Sequence, residues 1–247
     1  MAKQISKRRQ KRETLPETVK TGLELKPIKA LTQNQQIVFD SWWSGKNLWL
    51  HGTAGTGKSF LALYLALQSV LVDETHDKVI IVRSVVPSRD MGFLPGNAKE
   101  KAAVYKAPYH TICAELFGRG DAYNILEQKN KVEFMTTSFA RGTTLPNQII
   151  VVDETQNMTS QELNTIFTRI GKNSRFIFAG DIRQTDLNKG REMSGIADFM
   201  EIIRIMKSFD MTEFKPEDIV RSALVKEYIM ARNKLEDRGA ISPLSRG

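Results

Sequence analysis

Residues Gly52 to Ser59 read GTAGTGKS, which matches the pattern G-x-x-x-x-G-K-[ST] at every fixed position. An apolar segment, Asn47–His51 (NLWLH), runs into it, and a strongly helical stretch, Phe60–Val72, leaves it. Strand, glycine loop and helix in that order fix one local geometry, a loop whose backbone N–H groups cradle an anion at the positive end of the helix. Gly52, Gly55 and Gly57 permit the tight turn, and Thr53, Ala54, Thr56 and Phe60 complete the expected cradle. Lys58 is expected on the β and γ phosphates of a nucleoside triphosphate. Ser59 is expected on Mg²⁺, because a hard cation takes oxygen ligands and keeps most of its waters.

The rest of the chain is compatible with one such domain. Its 247 residues, 41% of them hydrophobic, suffice for one sizeable core and exclude two full catalytic domains. No apolar run is long enough to cross a membrane, and MAKQISKRRQKR at the start has no apolar stretch after its charges, so a cytoplasmic protein without a secretory signal is expected. Cys113 is the single cysteine, which excludes an internal disulfide and a cysteine-cluster metal site. His51, His76 and His110 are scattered and read as strand-end or surface residues. The net charge of +8 suits a polyanionic partner. Lys3, Lys7, Arg8, Arg9, Lys11 and Arg12 form a basic arm that either follows a phosphate backbone or solubilises the chain.

From Thr32 onward helix-like and strand-like segments alternate. The pattern predicts helices over Gln33–Trp43 and 58–72, around Ala98–Leu116 and over Asp121–Glu127, with a further helix starting at Met158-Thr159-Ser160. Strands are expected at Asn47–His51, Lys78–Val82, Val132–Thr136, Gln148–Val152, Arg175–Ala179 and about Phe209–Phe214. Runs such as Ile149–Val152 and Phe176–Ala179 are apolar throughout, as in strands covered on both faces. The expected architecture is a single α/β domain, a mostly parallel sheet with helices on both faces, over about 28–234. A basic arm and linker (1–27) precede it and a loose tail (235–247) follows.

Triphosphate hydrolysis needs an acid for the metal and a group that orients the attacking water. Residues 149–154 (IIVVDE) supply both: Asp153 at a strand end for Mg²⁺, and Glu154 for the water. The same two carboxylates also suit a solvated helix start. Gln184, just past the strand ending at Ala179, is placed to hydrogen-bond a γ phosphate and to lose that bond after hydrolysis. Gln35, in Leu31-Thr32-x-x-Gln35, presents a paired donor and acceptor that suit an adenine edge. A helix capped by Thr32 accounts for the same residues.

The motifs GTAGTGKS, DETQ (153–156), GDIRQ (180–184) and the upstream glutamine, in this order, resemble superfamily 1 helicases. The surrounding stretches GFLPG (92–96), ARGTTL (140–145), VDETQN (152–157), TRIG (168–171), GDIRQTDL (180–187) and DIVRSALV (218–225) narrow the resemblance to the PhoH-like family of ATPases, over roughly 32–232. The short chain is similar to the phage-type members. It departs from the family at Ser222-Ala223, where His-Pro is common, and at Thr143, where a second arginine is usual. The family's association with phosphate starvation comes with the resemblance alone; no residue here senses phosphate.

The resemblance implies a RecA-like P-loop NTPase domain that uses ATP and Mg²⁺ as a motor with helicase or translocase activity on single-stranded RNA or DNA. Helicases of this superfamily complete the ATP site with an arginine from a second domain. With one domain here, the resemblance implies a homo-oligomeric ring, a hexamer in the first instance, each site completed by its neighbour. Arg221 is the first candidate for that finger or for a γ-phosphate sensor in cis, followed by Arg141 and Arg183. Arg83, Ser84 and Arg89 are candidates for the nucleic-acid backbone, and Trp42, Phe93 and Tyr105 for base stacking or for the core. Two other readings remain: an ATP-gated nucleic-acid adaptor that recruits a nuclease partner without unwinding, and a nucleotide kinase, for whose lid arginines no counterpart is evident.

Overall fold

The computed structural model describes residues 21–84, 98–137, 144–181 and 191–241. In chain order these form α1 (Gln33–Trp43), β1 (Asn47–Gly52), α2 (Lys58–Leu71), β2 (Lys78–Arg83), α3 (Ala98–Phe117), α4 (Ala122–Gln128), β3 (Val132–Thr136), β4 (Gln148–Asp153), α5 (Ser160–Phe167), β5 (Arg175–Ala179), α6 (Arg191–Ile205), β6 (Phe209–Phe214) and α7 (Ala223–Asp237). The strands lie in the order β3-β2-β4-β5-β1-β6, and every described pairing is parallel. This is the single α/β domain expected from the sequence, a parallel sheet with helices on both faces.

The unbroken apolar runs have a two-sided cause. Successive side chains of a strand point to opposite faces. Leu48, Leu50, Val79, Ile81, Ile149, Val151 and Ile177 therefore pack with α1, α2, α3 and α4 on one face. Trp49, Ile80, Val82, Ile150, Val152, Phe176 and Phe178 pack with α5 and α6 on the other. Burying one such aliphatic side chain contributes about 1.5–3 kcal/mol. Trp49 and Phe178 stack on adjacent strands at 5.0 Å, and both rings meet Phe199 of α6.

Local chemistry sets the helix starts nearest the site. Thr32 caps α1, accepting from the Gln35 backbone N–H at 3.3 Å. Thr159 and Glu162 form a capping box on α5. Gly57, which precedes α2, is left-handed and gives that helix no side-chain cap, so the first-turn N–H groups lack the usual internal acceptor. Residues 235–237, expected in the tail, belong to α7. No helix among the described residues is long and apolar enough to cross a membrane.

Because the strands are parallel, the carboxyl ends of β1, β2, β4 and β5 share one edge of the sheet. Gly52, Arg83, Asp153 and Gly180 are thereby gathered there from four distant parts of the chain. Open α/β sheets bind ligands at that edge.

Candidate functional site

The loop after β1 has the conformation its glycines predict, with φ of 106° at Gly52, 76° at Gly55 and 85° at Gly57. Gly52 also answers a packing demand. A Cβ there would stand 2.1 Å from the Phe214 carbonyl oxygen, to which Thr53 N donates at 2.8 Å. Lys58 folds over the loop and donates from Nζ to the carbonyl oxygens of Gly52 (2.8 Å) and Thr53 (2.7 Å). An ammonium has three donors, so one is left for a ligand. Burial pushes the Lys58 pKa down, against the opposing pull of Asp181, Glu154 and Asp153.

Opposite the loop, Asp153 is only 4% exposed. Ser59 Oγ donates to its Oδ1 at 2.7 Å, and Tyr109, from α3, donates its hydroxyl to Oδ2 at 2.9 Å. Burial raises the Asp153 pKa and Glu154 adds to the rise, while the bonds from Ser59 and Tyr109 and the charge of Arg83 pull it down. A hydroxyl and a carboxylate converging at 2.7 Å form the oxygen set that suits Mg²⁺, which takes one or two carboxylates and fills its octahedron with phosphates and waters. No cluster of three or more His, Cys, Asp or Glu of the kind that holds a metal occurs among the described residues.

Glu154 leaves the strand in a left-handed conformation, φ 53°. That turn takes its side chain out of the strand's alternation and toward Arg83, whose Nη2 lies 3.9 Å from Glu154 Oε1. Gln156 donates to Glu154 Oε2 and accepts from Asp181 N at 3.0 Å, joining the ends of β4 and β5. Thr155 Oγ1 reinforces the junction by donating to Ala179 O at 3.2 Å. Gly180 must be small, since a Cβ there would lie 2.2 Å from Thr155 Oγ1. One carboxylate thus faces the loop and its neighbour stands beside it, half-exposed, an arrangement able to hold a cation and to polarise a water.

Gln35 is buried, donating to Thr56 O at 3.2 Å and accepting from Leu31 N at 2.8 Å. It ties the incoming chain to the phosphate loop, with one donor and one acceptor lone pair left over. Arg221 sits against the loop of its own chain: a Cβ on Gly55 would lie 3.3 Å from Arg221 Cγ, and Val220 N donates to Gly55 O at 3.1 Å. Asn34 binds Asp218 Oδ2 at 2.7 Å, so the segment carrying Arg221 is fastened to α1.

Other expectations fare differently. Arg83 lies at the site edge, its guanidinium 5.8 Å from the Tyr105 ring centre. Ser84 is buried and donates to Glu162 at 3.3 Å. Trp42 belongs to the core, 1% exposed, with the Arg175 guanidinium 3.4 Å over its ring. Gln184, Arg141, Arg183, Arg89, Phe93 and the basic arm lie outside the described residues. Sequence reasoning assigned no role to Tyr109.

These groups surround a pocket of about 880 Å³, bounded by the loop, Asp153 and Glu154 on one side and by α3 at Pro108 and Ile112 on the other. Glycine loop, lysine, serine and strand-end acids on a parallel sheet define a P-loop NTPase. The model of the PhoH-like protein family matches residues 27–233, and the chain belongs to that family. Protein PhoH of Escherichia coli (strain K12) is 31% identical over 229 residues, 92% of this chain and 61% of that protein. A PhoH-like protein of Bacillus subtilis (strain 168) is 34% identical over 184 residues, 74% and 57% of the respective chains. The chain thus spans about three fifths of the length of these curated relatives. Among solved structures, Pif1 helicase from Candida albicans aligns with a TM-score of 0.44 at 18% identity, over 84% of this chain and 44% of that one. The SWI2/SNF2 ATPase core of Sulfolobus solfataricus, in complex with dsDNA, aligns at 0.45 and 13%, over 80% and 47%.

Proposed function

We propose that this chain binds ATP with Mg²⁺, hydrolyses it to ADP and phosphate, and acts on single-stranded RNA or DNA as a homo-oligomeric ring, a motor with helicase or translocase activity, in the cytoplasm. The observation that carries the hydrolytic reading is the 2.7 Å contact between Ser59 and Asp153, with Glu154 next in the chain. Loop N–H groups and Lys58 hold the phosphates, and Ser59 and Asp153 would hold the cation. Bound there, Mg²⁺ neutralises charge on the phosphate oxygens. Glu154 accepts the proton of the attacking water, and Gln184 meets the γ phosphate. Burial lowers the Lys58 pKa, and Asp181, Glu154 and Asp153 oppose that fall.

Arg221, packed on its own loop, supports the role of a cis γ-phosphate sensor over that of a finger. Arg141 and Arg183 are then the candidates to act across a subunit boundary. The net charge of +8 and the basic arm support a polyanionic substrate.

The test is steady-state ATPase activity across protein concentration, with and without single-stranded RNA and DNA, for wild type and Glu154→Gln, together with a strand-displacement assay. Specific activity that rises with concentration, responds to one nucleic acid and drops at least a hundredfold in the variant, roughly the scale of a lost general base, is the expected result. Activity that survives Glu154→Gln removes the assignment of the base. Stimulation by nucleic acid without strand displacement replaces the motor with an adaptor.

A further inference from the structure

We infer that Tyr109 is a positioning residue for Asp153, its hydroxyl fixing the face that the carboxylate turns toward Mg²⁺. The inference rests on the reading of Ser59 and Asp153 as the Mg²⁺ pair. Asp153 is 4% exposed, so water does little to hold its two oxygens. Ser59 occupies Oδ1 and Tyr109 occupies Oδ2, at 2.7 and 2.9 Å. A carboxylate turns broadly about its terminal torsion unless donors stop it, and here the two donors come from two different helices, α2 and α3.

The demand is mutual. Tyr109 is 1% exposed, packed beside Phe134 with ring centres 6.0 Å apart, and a phenolic hydroxyl buried that deeply needs an acceptor. A core position that asked only for volume would be served by phenylalanine at no polar cost. The hydroxyl instead spans from α3 to the end of β4. One helical turn earlier Tyr105 lies beneath Arg83, and Arg83 faces Glu154. The same face of α3 therefore reaches both acids, Asp153 directly and Glu154 through Arg83.

The experiment titrates Mg²⁺ into the full chain with a fluorescent, non-hydrolysable ATP analogue, for wild type, Tyr109→Phe, Asp153→Asn and the double variant. Tyr109→Phe keeps the ring and should bind the analogue in EDTA as wild type does. Its half-saturating Mg²⁺ should rise about tenfold or more, the scale on which hydrogen-bonded partners of a metal ligand act. In the Asp153→Asn background the same change should add nothing. An unchanged Mg²⁺ requirement in Tyr109→Phe, an equal further loss in the double variant, or a parallel loss of binding in EDTA each overturns the inference and leaves Tyr109 a core residue. Wild type whose analogue binding ignores Mg²⁺ overturns the MgATP reading itself, a separate outcome.

Discussion

Arg83 Nη2 stands 3.9 Å from Glu154 Oε1, so the last residue of β2 reaches the residue just past its sheet neighbour β4. With side chains 18% and 34% exposed, a pair of this length adds little to folding. Arg83→Ala should change unfolding free energy by less than about 1 kcal/mol in urea titrations. If Arg83 also contacts a phosphate, the slope of log binding constant for single strands against log salt should shrink by about 0.7. An unchanged slope removes Arg83 from the nucleic-acid interface.

Gly52 and Gly120 make a controlled pair. At Gly52, φ is 106° and a Cβ would lie 2.1 Å from a backbone oxygen; at Gly120 nothing lies within 4 Å. Gly52→Ala should cost about 1–3 kcal/mol or more and weaken nucleotide binding. Gly120→Ala should stay within about 0.5 kcal/mol of wild type. Thermal melting with and without nucleotide distinguishes them, and equal effects would contradict the packing argument.

Arg221 against its own Gly55 predicts the result of a mixing experiment. Lys58→Ala and Arg221→Ala subunits, each weakly active alone, should remain so when combined, because both defects lie in one subunit's site. Recovery toward a quarter of wild-type activity, about what random pairing of complementary subunits gives across a head-to-tail contact, would place Arg221 in trans.

Two histidines make stability pH-dependent. Burial lowers the pKa of His51 and of His76; Lys58 and Arg204 lower that of His51 further against Glu213, and Arg175 lowers that of His76 further against Asp77. The unfolded chain then binds protons that the folded chain refuses, so their contribution is complete above the unfolded value of 6.5 and is lost as pH falls below it through the folded values. Urea midpoints should decline from about pH 7 to 5, and a His51→Gln/His76→Gln variant should show a flatter profile. Identical slopes would contradict this.

Cys113, on the buried face of α3, is fully buried, and burial pushes its thiol up to about 12. A chromogenic disulfide reagent should leave the native chain unmodified at pH 8 and titrate one thiol after unfolding in urea. Prompt reaction of the native chain would show that α3 opens readily.

The strands and the phosphate loop were legible because both are local: apolar runs bounded by turn residues, and glycines at fixed offsets. The fate of strand-end side chains was legible only in part, and parity explains why. Along β2, Val79 and Ile81 face α1 to α4, and Ile80 and Val82 face α5 and α6. Arg83 continues the first set and meets Tyr105; Ser84 continues the second and meets Glu162. Treating 83 and 84 as one basic-polar cluster missed that they point to opposite faces of the sheet. By the same rule Asp153 follows Ile149 and Val151 toward α2 and α3, where Ser59 and Tyr109 wait. That α3 would bring a tyrosine there depends on the register of a helix against a distant strand, which no local pattern encodes. Helices α6 and α7 escaped the sequence reading because Gly195 interrupts one and charged residues dominate the other.

The place of β1 in the sheet bears on how the chain is made. Its partners are β5, through Leu48 with Ile177, and β6, through Asn47 with Phe209. Both emerge from a ribosome long after β1 itself. Until they arrive, the phosphate loop has neither Phe214 behind Gly52 nor Gly180 beside Thr155, and a nascent chain has no formed pocket to offer. Pairings so distant in sequence are slow to close. A growing chain therefore carries the apolar β1 strand without its β5 and β6 partners through most of its synthesis, and ligand arriving afterward would meet the finished sheet.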